Sequence, residues 1–146
     1  MKTAAAVLAL ALGIAASTPA EAQSQYIQQI RAQLNRATQT VRQQGYVPAQ
    51  DMMTGNLNQG ARESMLVTLT GGTRYAIIGV CDQDCTDVDL RIAGPDGTQL
   101  AEDVETDDTP VLEFVAPSSG QYRLLVMMAT CSQAPCYWGT QIFSRQ

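Results

Sequence analysis

A mainly β protein, an antiparallel jelly-roll-like β-sandwich preceded by one N-terminal amphipathic α-helix, is the fold this sequence predicts. Three observations predict it. Asp87-Val88-Asp89-Leu90-Arg91-Ile92-Ala93 alternates polar and apolar residues, stops at Gly94-Pro95-Asp96-Gly97 and resumes through Thr98-Gln99-Leu100, which is a β-hairpin pattern. Further short runs of the same kind recur between Gly, Pro and Asp turn signals as far as Phe143. Ahead of them, Ile27, Ile30, Leu34, Ala37 and Val41 return every three or four residues, the spacing of a single helical stripe.

Taken in order, the first segment is a leader. Lys2, an apolar run from Ala4 to Ala16 and the small-x-small site Ala20-Glu21-Ala22 predict a secretory signal peptide over residues 1–22. The run is too short to span a bilayer, and no later one is long enough. The expected product begins near Gln23 and is secreted, with the periplasm as the expected compartment.

The amphipathic helix is expected over residues 23–45, with Ser24 as its N-cap and Gly45 as its terminator. Its stripe also fits heptad positions a and d, so a helix-mediated dimer is an alternative to packing on the protein's own sheet. Fewer than three heptads is short for a free-standing coiled coil, which favours a monomer. Residues 46–146 form the sandwich: a linker with Pro48, then strands around Met65–Leu69, Tyr75–Cys81, the hairpin, Val111–Val115, Tyr122–Ala129 and Tyr137–Phe143. In the strand from Tyr122, Leu125 and Met127 point away from Leu124, Val126 and Met128, so both faces are apolar over part of its length. The helix is the expected cover for that second face.

Cys81, Cys85, Cys131 and Cys136 fall in two close pairs, and export favours disulfides. The short turn-like spacers favour the local bridges Cys81–Cys85 and Cys131–Cys136 over the two crossed connectivities and over a zinc site, whose usual C-x2-C knuckles are missing.

Charge and composition exclude whole classes of chemistry. The sequence contains no histidine, which removes Ser-His-Asp and Cys-His mechanisms. The net charge of −5 disfavours nucleic acid and anionic membranes as partners. Ten carboxylates lie between Asp82 and Asp108, and Asp82, Asp84, Asp87, Asp89, Asp103, Asp107 and Asp108 are the candidate ligands for a weak calcium site. The alternative reading of the same acids is a solvated, edge-protecting face, favoured because no EF-hand loop is present. A hydrolase using paired carboxylates is the enzymatic alternative, disfavoured because the acids lie in a turn-rich segment without an aromatic cleft. Tyr137 and Trp138 face opposite ways on one strand, so one is a candidate contact for a protein or glycan.

Gly72-Thr73-Arg74-Tyr75, Asp87-Val88-Asp89-Leu90 with the Gly94-Pro95-Asp96-Gly97 turn, and Ser119-Gly120-Gln121-Tyr122 occur in an order and spacing that resembles the bacterial pre-peptidase C-terminal domain, from about Met53 to Phe143. The resemblance implies a β-sandwich of the kind appended to secreted peptidases and implicated in secretion, substrate adhesion or calcium-dependent stabilisation. The added helix, the four cysteines and the lack of a peptidase domain make a free-standing relative the expectation. The function expected from all of this is a non-enzymatic module for extracytoplasmic binding or stabilisation. A structural protein assembled through its helix is the alternative.

Overall fold

The computed structural model describes residues 19–145. The expected leader therefore lies outside the described residues apart from its last four, which form the first turn of helix α1 (Pro19–Arg42). Ser24 is not the N-cap of this helix. Ala20-Glu21-Ala22 carries the helix further back, with Pro19 in the first position, where a missing N–H costs nothing, and the Glu21 charge in the first turn. The C-terminus ends as expected at Gly45, whose φ of 85° suits a residue without Cβ. Tyr46 N–H donates to Val41 O and Gly45 N–H to Arg42 O, the pairing of a Schellman cap.

Among the described residues nine strands follow: β1 (Val47–Pro48), β2 (Met53–Leu57), β3 (Arg62–Leu69), β4 (Arg74–Cys81), β5 (Cys85–Ala93), β6 (Gln99–Asp103), β7 (Val111–Val115), β8 (Gly120–Cys131) and β9 (Cys136–Arg145). All pairings are antiparallel. One sheet runs β1-β9-β4-β7, with β2 also on β9, and the other runs β3-β8-β5-β6. The sequence expectation of a linker around Pro48 is corrected here, because Val47 and Pro48 pair with Ser144 and Phe143, and Met53–Leu57 pairs with Thr140–Cys136.

Between the sheets lies the main core, including Tyr75, Ile77, Val88, Leu90, Ile92, Leu124, Val126, Met128, Trp138 and Ile142. The two tyrosines of the family-like motifs close turns. Tyr75 Oη accepts the Thr70 N–H at 2.9 Å, and Tyr122 Oη donates to Ser118 O at 2.6 Å. In the hairpin, Asp96 Oδ1 accepts the Thr98 N–H and Oδ2 the Thr98 hydroxyl, the expected side-chain mimic of a turn.

The helix does not cover the outer face of β8. It packs on β9 and β4 of the other sheet. The physical reason is the composition of β4, where Tyr75, Ile77 and Cys81 face the core while Ala76, Ile78 and Val80 face outward, so both of its faces demand burial. Ile30 and Leu34 are fully buried against Val80 with Tyr137 and Met52 at their flank. Ala37 and Val41 pack on Tyr46, Ala76, Ile78 and Phe143. The closest approach is made possible by Gly139, where a Cβ would stand 2.3 Å from Ile30 Cγ2.

Both disulfides are the local ones, Cys81–Cys85 and Cys131–Cys136, each with 5.9 Å between Cα atoms. Each links the end of a strand in one sheet to the start of a strand in the other. Because Cys85 pairs with Cys131 across β5 and β8, both links lie at the same end of the sandwich. The helix is fastened there too: Gln33 Nε2 donates to Cys81 O at 2.9 Å, and Tyr26 Oη donates to Asp84 Oδ2 at 2.8 Å while its ring stacks on Tyr137.

Leu34→Ala is expected to cost about 2 to 5 kcal/mol in chemical denaturation, the range for a leucine truncated in a packed site. Gly139→Ala is expected to cost about 1 to 3 kcal/mol by overpacking. Combined with Ile30→Ala, the Gly139→Ala loss should be less than additive, because removing Ile30 opens the space the new methyl needs.

Candidate ligand-binding face

With the helix on the larger sheet, the outer face of β3-β8-β5-β6 is left open among the described residues, and strand register sets its side chains in rows. Arg62 lies beside Met127 and Met127 beside Asp89. In the next row come Ser64, Leu125, Arg91 and Glu102. Leu66, Arg123, Ala93 and Gln99 make the third. Adjacent strands are about 4.8 Å apart, so the three arginines, on β3, β5 and β8 in successive rows, form a triangle around Leu125.

Arg91 Nε stands 3.0 Å from Glu102 Oε2 without hydrogen-bond alignment, and both side chains are 42% exposed. Such a pair contributes about 0 to 1 kcal/mol and leaves the guanidinium available. Arg62 and Arg123 make no ion pair among the described residues. Asp89 is 6% exposed and sits in the small concavity lined by Arg62, Arg91, Leu125 and Met127. Burial pushes its carboxyl up, the Asp87 charge adds to this, and Arg91 opposes it. Toward the hairpin, Arg91 and Arg123 line a second, shallow depression with Ser64, Ala93, Gln99 and Leu125. Leu66, 58% exposed, borders the depression beyond it, together with Pro95 and Gln121.

The seven candidate calcium ligands are distributed differently. Asp82 is buried at the disulfide-linked end, its Oδ1 accepting the Asp84 N–H and its Oδ2 the Tyr137 N–H. Burial nevertheless pushes its carboxyl above the usual range. Asp84 takes the Tyr26 hydroxyl. Asp103 accepts from the Glu105 and Val111 amides, Asp107 from the Thr109 amide and Asp108 from the Thr109 hydroxyl. Asp87 and Asp89 share the outer face of β5; Asp87 Oδ1 is buried without a partner, and burial, then the Asp107 charge, pushes its carboxyl up. Among the described residues, no group of three or more His, Cys, Asp or Glu is placed to hold a metal ion. Most of these acids are turn acceptors, which the sequence signals through the recurring Asp-x-x and Asp-Thr spacing.

Of the aromatic pair, Trp138 is buried in the core beside Gly55, where a Cβ would stand 2.7 Å from its ring, and Tyr137 is partly covered by Tyr26. Arg123 shares the outward side of its strand with Leu125 and Met127, as the alternation from Tyr122 predicts; Arg62, Ser64, Leu66 and Glu102 are additions from the structure, and the signal for the first three is the alternation Arg62-x-Ser64-x-Leu66.

No family model matches the chain, and no curated protein matches it. No helix among the described residues is long and apolar enough to cross a membrane.

Asp87 titrates above its unfolded value, so the folded state holds more protons between the two, and its contribution falls as pH rises from about 4. Asp87→Asn should therefore melt higher than the parent at pH 7, with the gap closing as pH drops below about 4; thermal scans across that range check it. Since the loop carboxylates are already engaged by backbone and hydroxyl donors, millimolar calcium and millimolar magnesium should give the same melting midpoint.

Proposed function

We propose that this chain is a secreted, non-enzymatic binding module that holds an acidic segment of a partner protein outside the cytoplasm, on the outer face of β3-β8-β5-β6. The observation that carries the reading is the unequal treatment of the two outer sheet faces. One is covered by the chain's own helix, while the other presents Arg62, Arg91 and Arg123 across Leu66, Leu125 and Met127. Arginine and methionine are the residues that interfaces favour, and guanidinium groups recognise carboxylates in a planar, bidentate way. A protein is favoured over a glycan because no aromatic side chain stands in these rows. An enzymatic reading lacks a base for Ser64, since the sequence has no histidine. The helix stripe that would support a structural dimer is engaged within the chain, with Ile30 and Leu34 fully buried. The likeness to the pre-peptidase C-terminal domain, a module of secreted proteins, and the disulfides agree with an extracytoplasmic place of action.

Site-specific photo-crosslinking in the native compartment tests this. A photoreactive residue at Leu66 or Leu125 is expected to trap a discrete partner, with adducts lost in Arg123→Glu and Arg62→Glu backgrounds, while the same residue at Arg36 on the exposed side of the helix traps none. Equal trapping from all three positions, or adducts indifferent to the charge reversals, would refute the assignment of this face.

A further inference from the structure

At the far edge of the other sheet, β7 is paired on one side only among the described residues. Its ladder to β4 uses the even-numbered positions: Gly79 N–H donates to Pro110 O, while Ala116 donates to Thr73 O and accepts from Gly72 N–H. Antiparallel geometry turns the backbone groups of Val111, Glu113 and Val115 the other way. Asp103 Oδ2 takes the Val111 N–H at 2.8 Å. The N–H and C=O of Glu113 and Val115 are left facing outward without a partner among the described residues.

The side chains of the same three residues are exposed, Val111 at 45% and Val115 at 47%, with Val104 at 46% on the turn leading to β7. Edges of this kind are normally blocked by lysine, proline or a bulge. Here Pro110 and Pro117 stand outside the strand, its register with β4 is unbroken, and the single charge is Glu113. Glu113 discourages a second copy: the register that joins both valines of two β7 strands sets Glu113 against Glu113, and like charges directly opposite repel. The same charge favours a strand that brings a cation.

We propose that β7 accepts an extended segment of a partner protein as an additional antiparallel strand. In that segment a lysine or arginine lies opposite Glu113, and apolar side chains two residues to either side lie on Val111 and Val115. The outward amides and carbonyls of Glu113 and Val115 supply the backbone pairing, and the period of two carries apolar, cationic and apolar side chains onto one face. This edge belongs to the sheet opposite the proposed acidic-ligand face, so the two interactions are separable.

The probe is a capped peptide, Thr-Val-Thr-Arg-Thr-Val-Thr, titrated into the isotope-labelled full chain and followed by amide shifts and hydrogen exchange. Saturable shifts and new protection at the amides of Glu113 and Val115 are expected, together with about tenfold weaker binding when the central arginine is replaced by glutamate. Glu113→Arg should invert that preference. The side chain is exposed and accepts the Tyr46 hydroxyl at 3.5 Å, so an unchanged spectrum for Tyr46, β4 and β9 verifies folding of the variant; Glu113→Gln, which should level the preference and keeps an acceptor for Tyr46, gives the same test at smaller perturbation. Shifts confined to β3, β5 and β8, a charge preference that survives Glu113→Arg and Glu113→Gln, absence of saturable binding, or a dimer of the chain alone through β7 would each overturn the proposal.

Discussion

The arrangement of this protein depends on one missing side chain. At Gly139 the middle strand of the larger sheet presents bare backbone, and Ile30 and Leu34 of the helix enter that space, with Ile30 closer than any Cβ would permit. A helix seated so closely buries Val80, Ile78 and Ala76 of β4, which would otherwise leave the second face of a fully apolar strand in water. Burying an apolar side chain of this size contributes about 1.5 to 3 kcal/mol, so the helix is a third layer of the core.

The disulfide-linked end extends that dependence. Cys81–Cys85 and Cys131–Cys136 each bridge the two sheets, and Cys81 O and Asp84 are the points where Gln33 and Tyr26 of the helix attach. Local loops this short restrict the unfolded chain by only about 2 kcal/mol each. Their larger consequence is geometric. They fix the turn whose carbonyl and carboxylate receive the helix, and Asp82, buried between the Asp84 and Tyr137 amides, completes the same knot.

Much of the architecture was legible in the chain because it is written in local chemistry. The hairpin at Gly94-Pro95-Asp96-Gly97, the helix stripe, the Gly45 terminator and the cysteine pairs each follow from backbone preference or spacing. Two features were not legible for the same physical reason: they depend on contacts distant in sequence. Met53-Thr54-Gly55-Asn56-Leu57 has little apolar alternation; it is a strand by its pairing with β9, and its glycine is needed because Trp138 occupies the space a Cβ would take. The choice of face for the helix turns on comparing β4 with β8. Arg62 and Arg91 flank Met127 and Leu125 on β8, with Glu102 beyond Arg91, whereas the outward side chains of β4 itself, Ala76, Ile78 and Val80, are all apolar and Val80 lies beside Gly139. The open face was therefore partly in view as the outward side of β8, but its arginines come from three strands and meet only in the folded register.

Net charge was a poor guide to what the surface offers. A chain of −5 reads as acidic, yet Asp82, Asp96, Asp103 and Asp107 direct their oxygens at backbone amides, and Asp84 and Asp108 at hydroxyls. Each such carboxylate is a component of a turn or a latch, and the field it projects is reduced by the dipoles that face it. The arginines are treated differently. Arg62 and Arg123 lie without ion pairs among the described residues, and Arg91 keeps only an exposed contact to Glu102. What a partner meets on that face is thus decided by which charges the fold has already satisfied, and the acids that dominate the sequence are largely the satisfied ones.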